Sequence, residues 1–152
     1  MNTEPSRLKA SFTDVVNKSI DALTILIVDD ESYICELIAE LLGEHDHQCD
    51  TAFDGMDALE KMSLKKYDVV LTDIKMPRMD GFTLLKNAHQ LYPHSAVVVM
   101  TAFGQTYSVR QALNMGAEEY LPKPFNSEEV LSAVERAYQR HQERLNNGAG
   151  KK

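Results

Sequence analysis

Polar residues follow four predicted strands of this sequence, and their types are those that handle phosphoryl groups. Asp29 and Asp30 follow the first of these strands, Asp73, Thr101 and Lys123 the later ones. Three carboxylates in one place repel one another, so either some are protonated or a cation lies among them. An all-oxygen site of this kind suits Mg²⁺, with Mn²⁺ as the alternative ion. A hydroxyl and an ammonium group nearby would hold phosphoryl oxygens, and one carboxylate could be a nucleophile that forms an acyl phosphate.

The elements that must position these residues alternate along the chain. Apolar, β-branched segments predict five strands, at Leu23–Val28, Gln48–Ala52, Tyr67–Thr72, Ala96–Met100 and Glu118–Leu121. Each is followed by a segment with apolar residues at helical spacing. This order predicts an α/β fold in which a five-stranded parallel sheet is covered on both faces. Because such sheets bind ligands beyond the carboxyl ends of their strands, the polar residues are expected on one edge, with Asp73 alone at its middle.

Capping residues mark where the helices begin. Ser32 is predicted to cap the first helix and Asp54 the second, and Asn126 with Glu129 forms a capping box for the last. The fourth helix is expected to open at Gly104. On the first helix, the buried face is predicted to carry Ile34, Leu37, Ile38, Leu41 and Leu42.

The domain organisation follows from the same pattern. Residues 1–22 form an N-terminal extension, predicted to be a short amphipathic helix because apolar residues recur at helical spacing from Leu8. Residues 23–140 form the domain, and residues 141–152 are the end of the last helix and a tail, Asn146–Lys152, that is expected to be disordered. No DNA-binding or other output domain fits into the remaining length. The protein therefore either acts alone by docking on a target or has an output part that this sequence lacks.

Composition narrows the class of function. The 152 residues suffice for one domain, and 16 Lys and Arg against 23 Asp and Glu leave a net charge of −7. This acidic balance argues against a nucleic-acid surface and against a basic membrane patch. No segment approaches the roughly 20 apolar residues of a membrane helix. Cys35 and Cys49 match neither a CxxC pair nor a zinc spacing, so we expect reduced thiols in a cytoplasmic protein.

Four motifs resemble, in order and spacing, the receiver domain of two-component response regulators. They are ILIVDDE at Ile25–Glu31, LTDIKMPRMDG at Leu71–Gly81, VVVMTAFG at Val97–Gly104 and EEYLPKPF at Glu118–Phe125. The resemblance covers about Leu23 to Tyr138 and implies a flavodoxin-like three-layer sandwich with strand order 2-1-3-4-5. The segment from KPF to Ala137 is similar to receivers that precede AAA+ transcription activators.

The resemblance also implies the acceptor and the metal ligands. Asp73 would accept the phosphoryl group from a phosphohistidine of a histidine kinase or a His-containing phosphotransfer protein. Asp29, Asp30 and Asp73 would hold Mg²⁺, together with the backbone carbonyl of Lys75. The protein would therefore be a phosphorylated signalling module without turnover, although it could assist its own dephosphorylation.

Further residues would form a switch. Thr101 would donate its hydroxyl to a phosphoryl oxygen, and Lys123 would form an ion pair with the phosphoryl group. Tyr120 would swing inward as Thr101 moves, and the Lys123–Pro124 bond would be cis. The face made by the fourth helix, fifth strand and fifth helix would then change its affinity for a downstream protein target. A homodimer through the same face is a further expectation.

Two alternative functions are weaker. A metal-dependent phosphatase of the haloacid-dehalogenase type needs a second Asp two residues after its nucleophile, but Lys75 follows Asp73 and Glu31 follows Asp29 at that distance. A receiver that no longer takes phosphate would be a fixed scaffold. The intact acidic residues, Thr101 and Lys123 argue against that scaffold.

Two other clusters have an ordinary interpretation. His45, Asp46, His47 and Cys49 could hold a metal, but their spacing favours a solvated loop. The arginines of the last helix, Arg136, Arg140 and Arg144, are predicted to form a solvated face, with pairing in a dimer as the alternative.

Overall fold

Short apolar strands alternate with helices throughout the described part of the chain. The computed structural model describes residues 22–101 and 106–150, for residues 106–108 and 149–150 the backbone alone. The strands are β1 (Thr24–Val28), β2 (Gln48–Ala52), β3 (Val69–Asp73), β4 (Ala96–Thr101) and β5 (Glu119–Pro122). The helices are α1 (Ser32–Gly43), α2 (Gly55–Leu64), α3 (Gly81–Leu91), α4 (Thr106–Asn114) and α5 (Ser127–Gly150).

All strand pairs are parallel, and the order in the sheet is β2-β1-β3-β4-β5. The predicted fold class is therefore confirmed. β4 is buried along its whole length, and β1 and β3 are buried almost throughout. Continuous apolar runs such as ILIV are what a strand covered on both faces requires.

Two apolar cores lie on opposite faces of the sheet and complete the three layers. Alternate strand residues such as Ile25 and Ile27 pack against α1 and α5. Their neighbours Leu26 and Val28 face the other way and pack with residues of α2, α3 and α4. This division follows from the two-residue period of a strand, which sends successive side chains to opposite faces.

The start of α1 differs from the prediction. Glu31 is the N-cap and Ser32 is already inside the helix, because the Glu31 carbonyl accepts hydrogen bonds from the Ile34 and Cys35 amides. The buried face is centred on Cys35, Ile38 and Leu42, whereas Leu37 is 58% exposed. The prediction of Leu37 as a core residue was wrong, since the helix is rotated so that Cys35 points at the sheet.

The other predicted caps are confirmed. The Asp54 carboxylate accepts a hydrogen bond from the Asp57 amide at 2.9 Å. Asn126 and Glu129 exchange side-chain-to-backbone hydrogen bonds of 2.9 and 2.8 Å, which is the reciprocal pattern of a capping box.

The C-terminal helix is long and is bound to β5 through its arginines. α5 continues to Gly150, so residues 146–150, expected as a disordered tail, are helical. Arg136, Arg140 and Arg144 lie on a partly solvated face as predicted. Their guanidinium groups, however, bind the carboxylates of Glu118 and Glu119, a contact that helical spacing alone does not indicate.

The loop after α1 also differs from its prediction as a solvated segment. His47 is buried, and its Nδ1 accepts a hydrogen bond from the Leu23 amide at 3.0 Å. Asp46 has a φ of 71°, and the following His47 side chain lies between the Leu23 amide and the Glu135 carboxylate of α5. His45 and Asp46 remain exposed.

Other expectations concern residues outside the described part or the membrane. The predicted N-terminal helix and the opening of the fourth helix at Gly104 lie outside the described residues. Among the helices that the structure describes, none combines the length and apolar character needed to cross a membrane. Cys35 and Cys49 are both free thiols.

Candidate functional site

Three carboxylates meet at the carboxyl edge of the sheet. β1 and β3 are neighbours, with Val28 opposite Thr72, so Asp29 and Asp73 follow this pair at the same level. Asp30 is the next residue after Asp29. One oxygen of each of these three carboxylates lies within 4.8 Å of one oxygen of each of the others. The structure thus brings together the acidic residues that the sequence predicted.

The three acids differ in exposure and in how they are held. Asp29 is fully buried, Asp73 is half-buried and Asp30 is exposed. Oδ1 of Asp29 accepts a hydrogen bond from the Glu31 amide at 2.9 Å, and Oδ1 of Asp73 accepts one from the Ile74 amide at 2.8 Å. These bonds fix the orientation of both carboxylates, so that their Oδ2 atoms face the same space.

Lys123 enters that space from the end of β5. Its Nζ lies 3.2 Å from Oδ2 of Asp29 and 3.3 Å from Oδ2 of Asp73. The Lys123 amide donates to the Thr101 carbonyl at 2.7 Å, and the Lys123–Pro124 peptide bond is cis, as predicted. The lysine thus partly neutralises two of the three carboxylates.

The electrostatics of the site reflect opposing effects. Burial raises the pKa of Asp73 and the charge of Asp29 adds to this, although Lys123 opposes both. Burial alone would lower the pKa of Lys123, but Asp73 and Asp29 outweigh it and the pKa is raised. The two carboxylates therefore stabilise the charged form of the Lys123 side chain. Further positive charge nearby would stabilise the ionised form of Asp73.

The donor set fits a small divalent cation. Every donor is an oxygen, which is the preference of Mg²⁺. Two ligands on opposite sides of an ion bound at about 2.1 Å lie about 4.2 Å apart. The spacing within 4.8 Å is therefore suitable, and the exposed Asp30 leaves one side open to water. Lys75, whose carbonyl is the fourth predicted ligand, is exposed two residues after Asp73.

The two predicted switch residues lie on β4 and β5. Thr101 is the last residue of β4 and only 2% exposed. Tyr120 pairs with Val99 in the sheet and is 41% exposed, so its ring lies outward. Thr101 is at the edge where the carboxylates meet, whereas Tyr120, opposite Val99, lies two residues further from that edge along the strand direction.

Glycine closes the loop between Asp73 and α3. The Gly81 amide donates to the Ile74 carbonyl at 2.6 Å. A Cβ at Gly81 would overlap the carbonyl oxygen of Asp73 and lie 2.8 Å from Cα of Ile74. Only glycine allows this close approach of the helix start to the end of β3.

An ion pair next to the site was missed by the sequence analysis. Arg78, in the same loop, binds both carboxylate oxygens of Asp54. Asp54 was predicted only as a helix cap. The two residues are 24 positions apart, and no short-range pattern indicates that they meet.

Comparison with known proteins agrees with this geometry. The family model described as the response regulator receiver domain matches residues 25–135. The transcriptional regulatory protein DltR of Streptococcus agalactiae is 37% identical over 112 residues, covering 74% of this chain and 50% of that protein. The DNA-binding transcriptional regulator NtrC of Escherichia coli K12 is 40% identical over 119 residues, covering 78% of this chain and 25% of that protein. The chain thus spans a quarter to a half of these relatives.

Solved structures give the same result. A response regulator receiver domain protein from Clostridium thermocellum superposes with a TM-score of 0.73 at 33% identity, covering 79% of this chain and 97% of that one. NtrX from Brucella abortus gives a TM-score of 0.79 at 30% identity, covering 84% of this chain and 29% of that one.

Proposed function

The chain belongs to the family of response regulator receiver domains, which are signalling modules of two-component systems, and we propose that Asp73 is its phosphoryl acceptor. One observation carries the proposal. Asp73 ends a central strand with a half-buried carboxylate, 3.3 Å from Lys123 and grouped with two further acids. Among the described residues, Asp73 is the only acid that belongs to this carboxylate group and also lies on the central strand β3.

In the transfer, an oxygen of the Asp73 carboxylate attacks the phosphorus of a phosphohistidine. The P–N bond breaks, its electron pair returns to the imidazole nitrogen of the donor, and an acyl phosphate forms on Asp73. Lys123 neutralises charge on the phosphoryl oxygens, and the Thr101 hydroxyl donates to one of them. Asp29, Asp30 and Asp73, with the Lys75 carbonyl, would hold Mg²⁺ or Mn²⁺. When bound, the ion supplies positive charge to the phosphoryl group.

The output is proposed to pass through Thr101 and Tyr120. Once the hydroxyl of Thr101 is drawn to the phosphoryl group, the Tyr120 ring turns inward from its exposed position. This would reshape the face of α4, β5 and α5 and change its affinity for a downstream protein or a second copy. The donor would be a histidine kinase or a phosphotransfer protein in the cytoplasm, and residues 23–140 would be the domain that it recognises.

Intact mass after incubation with acetyl phosphate tests the acceptor. Wild type with Mg²⁺ should gain one phosphoryl group, and neither wild type without Mg²⁺ nor Asp73→Asn should gain any. Asp46→Asn is the matched control, because Asp46 is an exposed aspartate in the loop that precedes β2, away from the carboxylate cluster.

Two results would contradict the proposal. The first is the absence of an adduct from both acetyl phosphate and a phosphorylated histidine kinase, which would favour the scaffold function. The second is steady turnover of a small phosphate ester with Mg²⁺, which would favour a phosphatase.

A further inference from the structure

The loop that follows Asp73 is anchored to the start of α2 by an ion pair outside the carboxylate cluster. We define residues 74–80 as the acceptor loop. Within it, Arg78 donates from Nε to Oδ2 of Asp54, and from Nη2 to Oδ1 at 2.9 Å. Such a two-point fork between guanidinium and carboxylate has a defined geometry as well as charge. The fork therefore fixes the orientation of the acceptor loop relative to α2 as well as its distance from α2.

The partner of Arg78 is a buried charge. The Asp54 side chain is only 1% exposed, and it also caps α2 by accepting a hydrogen bond from the Asp57 amide. A buried carboxylate is stable only when its charge is compensated, and the Arg78 hydrogen bonds lower its pKa against the effect of burial. Asp54 is held in place by α2, so it gives Arg78 a fixed anchor.

The backbone of Arg78 is itself in an uncommon conformation. Its φ is 67°, in the left-handed region that residues other than glycine adopt only when the surroundings impose it. The guanidinium also lies over the Phe53 ring, 5.5 Å from its centroid. Two contacts of one side chain, both to the segment before α2, thus hold a strained turn.

The remaining anchors of the acceptor loop lie on either side of Arg78. At the base, the Gly81 amide binds the Ile74 carbonyl at 2.6 Å. At the tip, the Met79 side chain packs so closely on Gly55 that a Cβ there would lie 2.7 Å from Met79 Cγ. Lys75, the proposed carbonyl ligand, lies between the base and the tip.

We propose that Arg78 and Asp54 are positioning residues for the acceptor site. By fixing the tip of the acceptor loop, they hold the Lys75 carbonyl where a cation bound by Asp29, Asp30 and Asp73 needs its further oxygen. Neither residue is part of the carboxylate cluster, and neither is given a direct role in the transfer. This inference rests on the proposed function and adds to it two residues that act through the loop.

The test compares Arg78→Ala with Arg144→Ala. Arg144 is a matched control, because it forms the same fork with a buried carboxylate, that of Glu118, which precedes β5 at the opposite end of the sheet from Lys123. Three quantities are measured on the full chain: Mg²⁺ affinity by calorimetry, amide hydrogen exchange of residues 75–80, and the acetyl phosphate reaction rate as a function of Mg²⁺ concentration.

For Arg78→Ala we expect Mg²⁺ affinity to fall roughly tenfold, as for other groups that orient metal ligands. Exchange at residues 75–80 should accelerate, and saturating Mg²⁺ should restore most of the reaction rate. Arg144→Ala should keep wild-type values for all three, even where its overall stability falls. Arg78→Lys should behave like Arg78→Ala, because lysine keeps the charge but cannot form the fork.

The proposal is overturned if Arg78→Ala binds Mg²⁺ as wild type does, or if Arg144→Ala weakens Mg²⁺ binding equally. If Arg78→Ala does not fold, Asp54→Asn takes its place, since it keeps a capping oxygen but loses the charge and one of the two oxygens that accept from Arg78. Hydrogen exchange tests the anchoring of the loop independently of the proposed function, because the measurement needs neither a cation nor a phosphodonor. Unchanged exchange at residues 75–80 rejects the anchor, whereas a wild type that binds no Mg²⁺ rejects the metal site itself.

Discussion

Nζ of Lys123 lies 3.3 Å from Oδ2 of Asp73, although 50 residues separate the two in the chain. The contact arises because β3 and β5 flank β4 and all three run parallel, so that their carboxyl ends share one edge. The ammonium group also lies 3.2 Å from Asp29. Lys123 therefore occupies the space between two carboxylates that a divalent cation would also use.

This competition predicts the effect of Lys123→Met. Removing the ammonium charge should tighten Mg²⁺ binding about tenfold, which corresponds to ~1.4 kcal/mol of removed repulsion in a partly solvated site. The same change should slow the reaction with acetyl phosphate, because the phosphoryl oxygens lose the ammonium group of Lys123 that would neutralise their charge. Calorimetric titration and a mass-detected time course measure the two effects. Lys65→Met, which breaks an ion pair with Asp50 on the edge strand β2, should change neither. Weaker Mg²⁺ binding by Lys123→Met would refute the competition.

The proposed switch predicts different behaviour for two substitutions of Thr101. Thr101→Val keeps the volume but loses the hydroxyl, so phosphorylation of Asp73 should no longer draw the Tyr120 ring inward. Thr101→Ser keeps the hydroxyl and should preserve the response. Fluorine NMR of fluorotyrosine-labelled protein, with Tyr120 assigned through Tyr120→Phe, reports the exposure of the ring with and without beryllofluoride. A Tyr120 signal that moves equally in both variants would show that the hydroxyl is not the trigger.

Two glycines predict opposite results for the same substitution. In Gly81→Ala the new Cβ meets the Asp73 carbonyl oxygen and Ile74 Cα, both of them backbone atoms, so the loop must move. We expect lower stability and slower phosphorylation. At Gly43, the last residue of α1, an added Cβ would have nothing within 4 Å. Gly43→Ala should therefore raise the free energy of unfolding by about 0.4–1 kcal/mol, because alanine lowers the conformational entropy of the unfolded chain. Urea unfolding of both variants checks this contrast, which fails if Gly81→Ala is as stable as wild type.

The buried Glu118 predicts part of the pH dependence of stability. Burial alone would raise the pKa of Glu118, but Arg144 and His141 outweigh it and lower the pKa in the folded state. The ionised Glu118 therefore contributes fully to the free energy of unfolding above the ordinary carboxyl pKa of about 4.3. This contribution is lost as the pH falls below that value. Glu118→Gln should cost about 2 kcal/mol at pH 7 and progressively less in acid. Urea unfolding at several pH values measures this, with the exposed Glu143→Gln on α5 as the control. A pH-independent difference would contradict the ionised pair.

Several features of the protein could be predicted from the sequence because they depend on neighbours in the chain. Alternating apolar strands and helices indicated the sheet, and a strand end locates Asp73 whatever lies opposite it. Local caps such as Asp54 and the Asn126–Glu129 box were also predicted, since their partners are three residues away. The motifs around Asp29, Asp73 and Lys123 identified the family, which the comparisons confirm.

Contacts between distant segments were decided only by the tertiary structure. Whether Leu37 or Cys35 of α1 faces the sheet depends on the rotation of the helix about its own axis. Helical periodicity does not determine this rotation. His47 is buried because its ring meets the Leu23 amide and Glu135 of α5, and Arg144 binds Glu118 only because α5 packs beside β5. The fork between Arg78 and Asp54 joins the loop after β3 to the loop after β2, two strands that are separated in the sheet by β1. Spacing along a chain determines which residues share an element, whereas a pair from two elements also needs the packing of those elements to be known.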